Sequence, residues 1–296
     1  MGWRVVAVLL AAALFPLLAA CGAAAPGAAD HPIAVYLVPS GDARQAAAAG
    51  EELAGLLEDR TGLAFDVRMA ADAAAVREAM GAGAAHVGWL DALSYVQAHE
   101  EYGAAVALVA VRAGANSYNG QVIVRAGGGV VTLADLKGKT MCWVDSSSTS
   151  GFIIPRIMLA ANGVDPDQDF GRTVTSGSDA DVVLAVYHGT CDAGATFSDA
   201  RALLEPEYPD VMARVAVLAT TTAIPNEGVV FAQGLPPETR ERVIAALLEI
   251  AGSAPGQTVL GAIAGIEGLQ PFDDSYYDLL RADLAEAGVS IVDLIK

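Results

Sequence analysis

From Ile33 onward, short apolar runs alternate with amphipathic stretches, and this alternation constrains the fold more than any other feature of the chain. Residues 33–39 (IAVYLVP) read as a buried strand and 46–62 as a helix closed by Gly62. Strand-like 64–70, helix-like 73–83, strand-like 85–90 and helix-like 92–103 follow. The pattern then recurs: strand 139–145, a helix running to Asn162-Gly163, strand 172–176, helix 179–189 and strand 191–197. A further strand, 213–220, precedes the helices that run from Pro236 to the end. Strands separated by helix-length crossovers argue for α/β architecture with mostly parallel sheets flanked by helices. Two successive units joined by extended segments predict two lobes, with the chain crossing near 118–124 and again near 223–231. The expected boundaries are 33–122 with 226–296 for the first lobe and 123–225 for the second.

With 54% hydrophobic residues, the 296-residue chain has enough apolar side chains for both cores. A net charge of −18 with no basic cluster excludes nucleic acid and anionic membrane surfaces as partners. The first twenty residues read as a secretory signal, with one arginine, a short apolar run and small residues before Cys21. Leu18-Ala19-Ala20-Cys21 is similar to the lipobox of bacterial lipoproteins, which makes Cys21 the expected lipid attachment site and residues 21–32 a flexible tether. The expected location is extracytoplasmic, with membrane contact through the lipid alone. Cys142 and Cys191 then form an even remainder in an oxidising compartment, either as a disulfide or as two buried thiols.

Between strand 139–145 and the next helix lie five consecutive hydroxyl residues, Ser146 to Ser150. A helix N-terminus leaves backbone N–H groups unpartnered and carries partial positive charge, so it binds anions without lysine or arginine. A single N-cap needs only one hydroxyl. Ser148, Thr149 and Ser150 would add donors beside those amides, and Gly151 would let the backbone approach closely. Pro155 has no N–H for the Gly151 carbonyl, which predicts an irregular first turn. The run also sits at the carboxyl end of a strand, where open α/β sheets bind ligands.

The segment DLKGKTMCWVDSSSTSGFIIPRIML resembles the signature of the phosphate, phosphite and phosphonate binding proteins of ABC transporters. SGSDADVVLAVYHGTCDAGATFSDAR (176–201) and IPNEGVVF (224–231) resemble the next two blocks of that family. The resemblance implies a type II periplasmic-binding-protein fold, a monomer that closes on a small oxyanion and delivers it to permease subunits, with no cofactor, metal or catalysis. By the same resemblance Ser148, Thr149 and Ser150 grip the oxyanion, Tyr118 stands at the hinge, Asp199 accepts from a ligand amine and Trp89 is an aromatic of the first lobe. Glu227 stands where the family usually has Asp, and Ser40 completes the candidate set. Two departures bear on the ligand. Asp179 replaces the family's His, and Asp91 sits where Gly is common. Carboxylates beside an oxyanion disfavour a dianion and favour an amine-bearing partner such as an aminoalkylphosphonate.

Two other readings stay open: the same fold binding a sulfonate, an amine or a thiamine-like solute, and a hydrolase using Ser148 or Ser150. The second needs a base within hydrogen-bond reach, and no motif supplies a histidine there. His99 in HEEYG lacks the second histidine of a zinc-protease helix, and His188 with Cys191 has no partner pair, so neither predicts a metal site.

Overall fold

The computed structural model describes residues 25–39 and 42–286; Cys21, the signal segment and Ser40 lie outside the described residues. The first unit opens with β1 (Ile33–Leu37), α1 (Ala43–Thr61), β2 (Phe65–Met69), α2 (Ala73–Gly81), β3 (Val87–Leu90), α3 (Ala92–Tyr102) and β4 (Ala105–Val111). α1 forms because Asp42 caps its start, accepting from the Gln45 N–H, and Gly62 closes it in the left-handed region at φ 66°. Ala46, Ala49, Leu53 and Leu57 recur at helical spacing and are buried on the sheet. Burying each such leucine contributes about 1.5–3 kcal/mol.

The chain then enters a second sheet through β5 (Ser117–Arg125), followed by β6 (Thr140–Trp143), α4 (Ile154–Ala161), β7 (Arg172–Thr175), α5 (Asp179–His188), β8 (Ala193–Phe197), α6 (Val211–Arg214) and β9 (Val215–Pro225). It returns through β10 (Gly228–Phe231), α7 (Pro237–Ala251), α8 (Ala254–Ala264), β11 (Gly268–Pro271) and α9 (Asp278–Glu286). The strand orders are β11-β4-β10-β3-β1-β2 and β7-β6-β8-β5-β9.

Both sheets are mixed rather than mostly parallel. β2, β1 and β3 run parallel, as do β7, β6 and β8, but β10 is antiparallel to β3 and β4, and β5 to β8 and β9. The antiparallel strands are those that the chain uses to pass between the sheets, where short connections replace helical crossovers. All of β5 belongs to the second sheet, so the first passage is residues 112–116 and the expected boundary at 122/123 falls inside that strand. The two passages are fastened side by side. The Asn226 N–H donates to the Asn116 carbonyl, and its side-chain amide donates to the carbonyls of Ala110 and Ala115 at 3.0 and 2.9 Å.

Residues 27–31 are not a free tether. The Gly27 N–H donates to His31, and the Gly27 carbonyl accepts from Ala64, which pins this turn to the start of β2. Apolar clusters cover both faces of each sheet, and one of them spans the two units, joining Ile153, Ile154, Ile157 and Ile224 to Leu90, Tyr95 and Tyr277. The residues just past the carboxyl ends of β3 and β6, Asp91 and Ser146, line a common cavity.

Candidate functional site

The hydroxyl run resolves into separate tasks. Ser146 and Ser147 are exposed, and Ser147 turns back on Asp145, its N–H and Oγ lying 2.8 and 2.6 Å from Asp145 Oδ1. Ser148 caps the next turn, its Oγ accepting from the Gly151 N–H at 3.1 Å, which leaves its O–H free to donate. Thr149 to Ile153 form a π-helical turn that leads into α4. Pro155 accounts for this irregularity: it cannot bond the Gly151 carbonyl, which instead accepts from the Val144 N–H of the preceding strand at 3.3 Å. The N–H groups of Thr149 and Ser150 have no partner among the described residues.

Two glycines permit this geometry by close approach. A Cβ on Gly151 would lie 2.3 Å from Val144 Cγ2, and one on Gly120 would lie 2.9 Å from the Ser150 carbonyl oxygen. The turn is thus pressed against β5 and β6, with Ser150 buried. Burial raises the Tyr118 phenol well above its usual range, and the surrounding charges of Glu227, Asp91 and Asp179 raise it further. Asp91 and Glu227 line one cavity, while Asp179 and Ser150 lie at the Phe197–Gly120 pair of the second sheet.

The carboxylates there differ in what they have left to offer. Asp91 is the N-cap of α3: Oδ1 accepts from the N–H groups of Leu93 and Ser94 at 3.1 and 3.0 Å, and Oδ2 from Ser94 Oγ at 2.7 Å. Glu227 is held in a bidentate pair by Arg112, with Nε at 3.1 Å and Nη2 at 3.0 Å. Sequence reasoning missed this cation; its only local signal is a position just past an apolar strand, and its partner lies 115 residues away. Asp199 is not brought into the group. Its side chain is 77% exposed and paired with Arg201, on a left-handed residue with φ 62°. Trp89 is the third residue of β3 and is buried in the core with Nε1 unpartnered.

Asp179 does not cap its helix. Ser178 does, accepting from the Asp181 N–H, and Asp179 is the first residue inside. Its Oδ1 accepts from the Phe197 N–H at 3.0 Å, which joins α5 to the end of β8. Burial raises its carboxyl pKa, and Asp145 nearby adds to the rise.

A cavity of about 620 Å³ lies between the units, lined by Ala73, Arg77, Asp91 and Ser94 on one side and Ser146, Ser147 and Phe152 on the other. A smaller one of about 180 Å³ shares Ala73 and Asp91 with it and reaches Trp89, Arg112 and Glu227. A third, of about 640 Å³, lies on the far flank of α4, where Arg156 and Lys137 pair with Asp167 and Asp169 and so offer an anion little. Cys142 and Cys191 form a disulfide with Cα atoms 6.0 Å apart. No cluster of His, Cys, Asp and Glu among the described residues is arranged to hold a metal ion.

The sequence family described as the periplasmic substrate-binding protein of phosphonate ABC transporters matches residues 35–277. A phosphate-import protein, PhnD, of Mycolicibacterium smegmatis is 31% identical over 184 residues, which are 56% of this chain and 54% of that one. The phosphonates-binding periplasmic protein of Escherichia coli is 25% identical over 63% of this chain and 56% of its own length. The chain thus spans about half the length of the curated relatives it matches. Among solved structures, a phosphonate transporter binding component from Pseudomonas aeruginosa has a TM-score of 0.66 at 21% identity, covering 86% of each chain. A Prochlorococcus marinus protein in complex with methylphosphonate has a TM-score of 0.65 at 14% identity, covering 86% of this chain and 98% of its own. An aliphatic sulphonate binding protein from Escherichia coli scores 0.50 at 18% identity, covering 86% of this chain and 89% of its own. These structural likenesses establish the type II periplasmic-binding-protein fold, and the family is one of transporter binding components rather than enzymes. With the family matched over residues 35–277, from β1 to Tyr277, the chain belongs to the periplasmic substrate-binding proteins of phosphonate ABC transporters.

Proposed function

We propose that this chain captures a small phosphorus oxyanion, a phosphonate, phosphite or phosphate, between its two lobes and hands it to a permease outside the cytoplasm. The observation that carries the reading is the helix-entry turn at Ser148–Ser150, which carries three hydroxyls and two unpartnered amides and directly follows Ser146 and Ser147 on the wall of the interlobe cavity. Such a site neutralises an anion with dipoles rather than with a cation. The ligand lies with its head on this turn and its remainder toward Ala73, Asp91 and Ser94. Calorimetry against methylphosphonate, phosphite, phosphate and methanesulfonate tests the reading. Binding by at least one phosphorus oxyanion, tighter than the sulfonate, is the expected result. A sulfonate preference, or heat from none of the four, would overturn it.

The chain reaches the membrane through a lipid on Cys21 in this reading, supported by Leu18-Ala19-Ala20-Cys21 following a short apolar run. Intact-mass analysis of membrane-extracted protein is expected to find a diacylglycerol adduct on an N-terminal Cys21. A mature N-terminus elsewhere excludes the anchor.

A further inference from the structure

The place of Asp179 beside the oxyanion turn points to the protonation state of the ligand; the inference rests on the capture reading above. Asp179 stands at the start of α5 and is tied to Phe197, which lies opposite Gly120 in the sheet, and Gly120 is in turn pressed against the Ser150 carbonyl. Its Oδ1 accepts from the Phe197 N–H at 3.0 Å. An ionised carboxylate offers about four lone-pair sites, so Oδ2 remains open. No cation pairs with it among the described residues. The groups facing it are Phe197 on β8, Tyr118 on β5 and Asp145 beyond β6, and of these only the second carboxylate carries charge.

An oxygen of a ligand head on Ser148–Ser150 would therefore meet an oxygen of Asp179. Two such acceptors come together only with a hydrogen between them. An ammonium on the ligand could supply it, but an ammonium brings three N–H donors and needs acceptors for each. Around this space Asp91 already accepts three hydrogen bonds, Glu227 is paired with Arg112, and Asp199 is exposed and turned to Arg201. One open carboxylate matches one donor. A singly protonated head has a single O–H and leaves its other oxygens for the turn. We propose that Asp179 and the ligand head share one proton, so that this chain selects the monoprotonated oxyanion over the fully ionised one. Histidine at this position would present an N–H and accept the fully ionised form, so the substitution changes the species bound while leaving the turn intact.

The test uses methylphosphonate and wild-type protein, titrated calorimetrically on both sides of the second ionisation of the ligand, in two buffers of different ionisation heat. Above that ionisation the affinity is expected to fall by about tenfold per pH unit, with uptake of about one proton per ligand bound. Asp179→Asn keeps an acceptor for Phe197 and gains an N–H donor, so it is expected to remove both the pH slope and the proton uptake. Wild-type affinity that is level or rising across the ionisation, without proton uptake, overturns the inference and leaves the capture reading standing if binding still needs Ser148–Ser150. Tighter binding of 2-aminoethylphosphonate than of methylphosphonate, by a margin that Asp179→Asn erases, overturns it in favour of an ammonium. If wild-type protein binds neither compound at any pH, this inference falls, and the capture reading falls with it if phosphite and phosphate are silent too.

Discussion

Alanine at Ser148, Thr149 and Ser150 together is expected to remove measurable oxyanion binding while leaving the fold intact. Hydrogen bonds to a charged group contribute about 1.5–3 kcal/mol each. Loss of one hydroxyl therefore weakens binding by roughly tenfold to a hundredfold, at 1.4 kcal/mol per decade. The three act on one ligand group and are not strictly additive, but their joint loss is worth at least about a thousandfold. The structural cost is smaller. Ser148 is the N-cap and its removal costs about 1 kcal/mol. Ser150 is buried, and trimming its side chain costs about 1 kcal/mol more. A domain with about 5–15 kcal/mol in reserve stays folded through this. Calorimetry beside a urea melt separates the two effects. Wild-type affinity in the triple variant would place the ligand elsewhere, and collapse of the melt would call for the single Thr149→Ala variant, which touches neither the cap nor Ser150.

The central part of the candidate site stood out in the sequence because its composition exceeds structural need. Five hydroxyls where a cap requires one, a glycine and a displaced proline each carry a local physical meaning, and the carboxyl-end rule for α/β sheets placed them. What stayed hidden depends on distant partners. Nothing near Glu227 in sequence announces Arg112, and without that cation the cleft reads as more acidic than its hydrogen bonds make it. Asp91 was readable in principle, since Asp91-Ala92-Leu93-Ser94 at a strand end is an N-cap pattern, but its place beside the expected cleft drew it into the ligand set.

The strands show the same division. Residues 104–111 (AAVALVAV) form an apolar run too short and too uniform for periodicity to separate helix from strand, and they prove to be β4, at the passage between sheets. β11 is four residues of weak strand character whose place is set by distant partners, β4 beside it and the core around Leu269. Strand direction is a tertiary property. The expected crossing at 223–231 divides at Asn226-Glu227 into the end of β9 in one sheet and β10, antiparallel, in the other. At the N-terminus a composition typical of linkers concealed the docking of Gly27 on Leu63 and Ala64, because a glycine-rich turn and a flexible tether have the same residues.

Replacing both Cys142 and Cys191 with alanine is expected to lower the unfolding free energy by about 4 kcal/mol. The bond closes a loop across a sequence separation of 49, and loop-closure entropy for that length gives this figure, within a usual span of about 2–5 kcal/mol. Both residues are fully buried in the cluster that packs α5 on the second sheet, so the lost sulfur contacts add to the cost. At roughly 2–4 °C per kcal/mol for a chain of this size, the melting temperature falls by about 8–16 °C. Thiol titration of unfolded, unreduced protein beginning after Cys21 is expected to find no free thiol; two free thiols, or a double variant that melts with wild type, would refute the bond. The functional consequence separates from the thermal one. The bond ties β6, whose end delivers the hydroxyl run, to the residue two positions before β8, whose end delivers the Phe197 N–H to Asp179. The two strands are also paired in parallel, with Cys142 opposite Gly194. That backbone pairing holds the register without the disulfide, so well below its melting temperature the double variant should bind its ligand within a few-fold of wild type. A loss of affinity in parallel with the loss of stability would mean instead that the crosslink sets the distance between the oxyanion turn and Asp179.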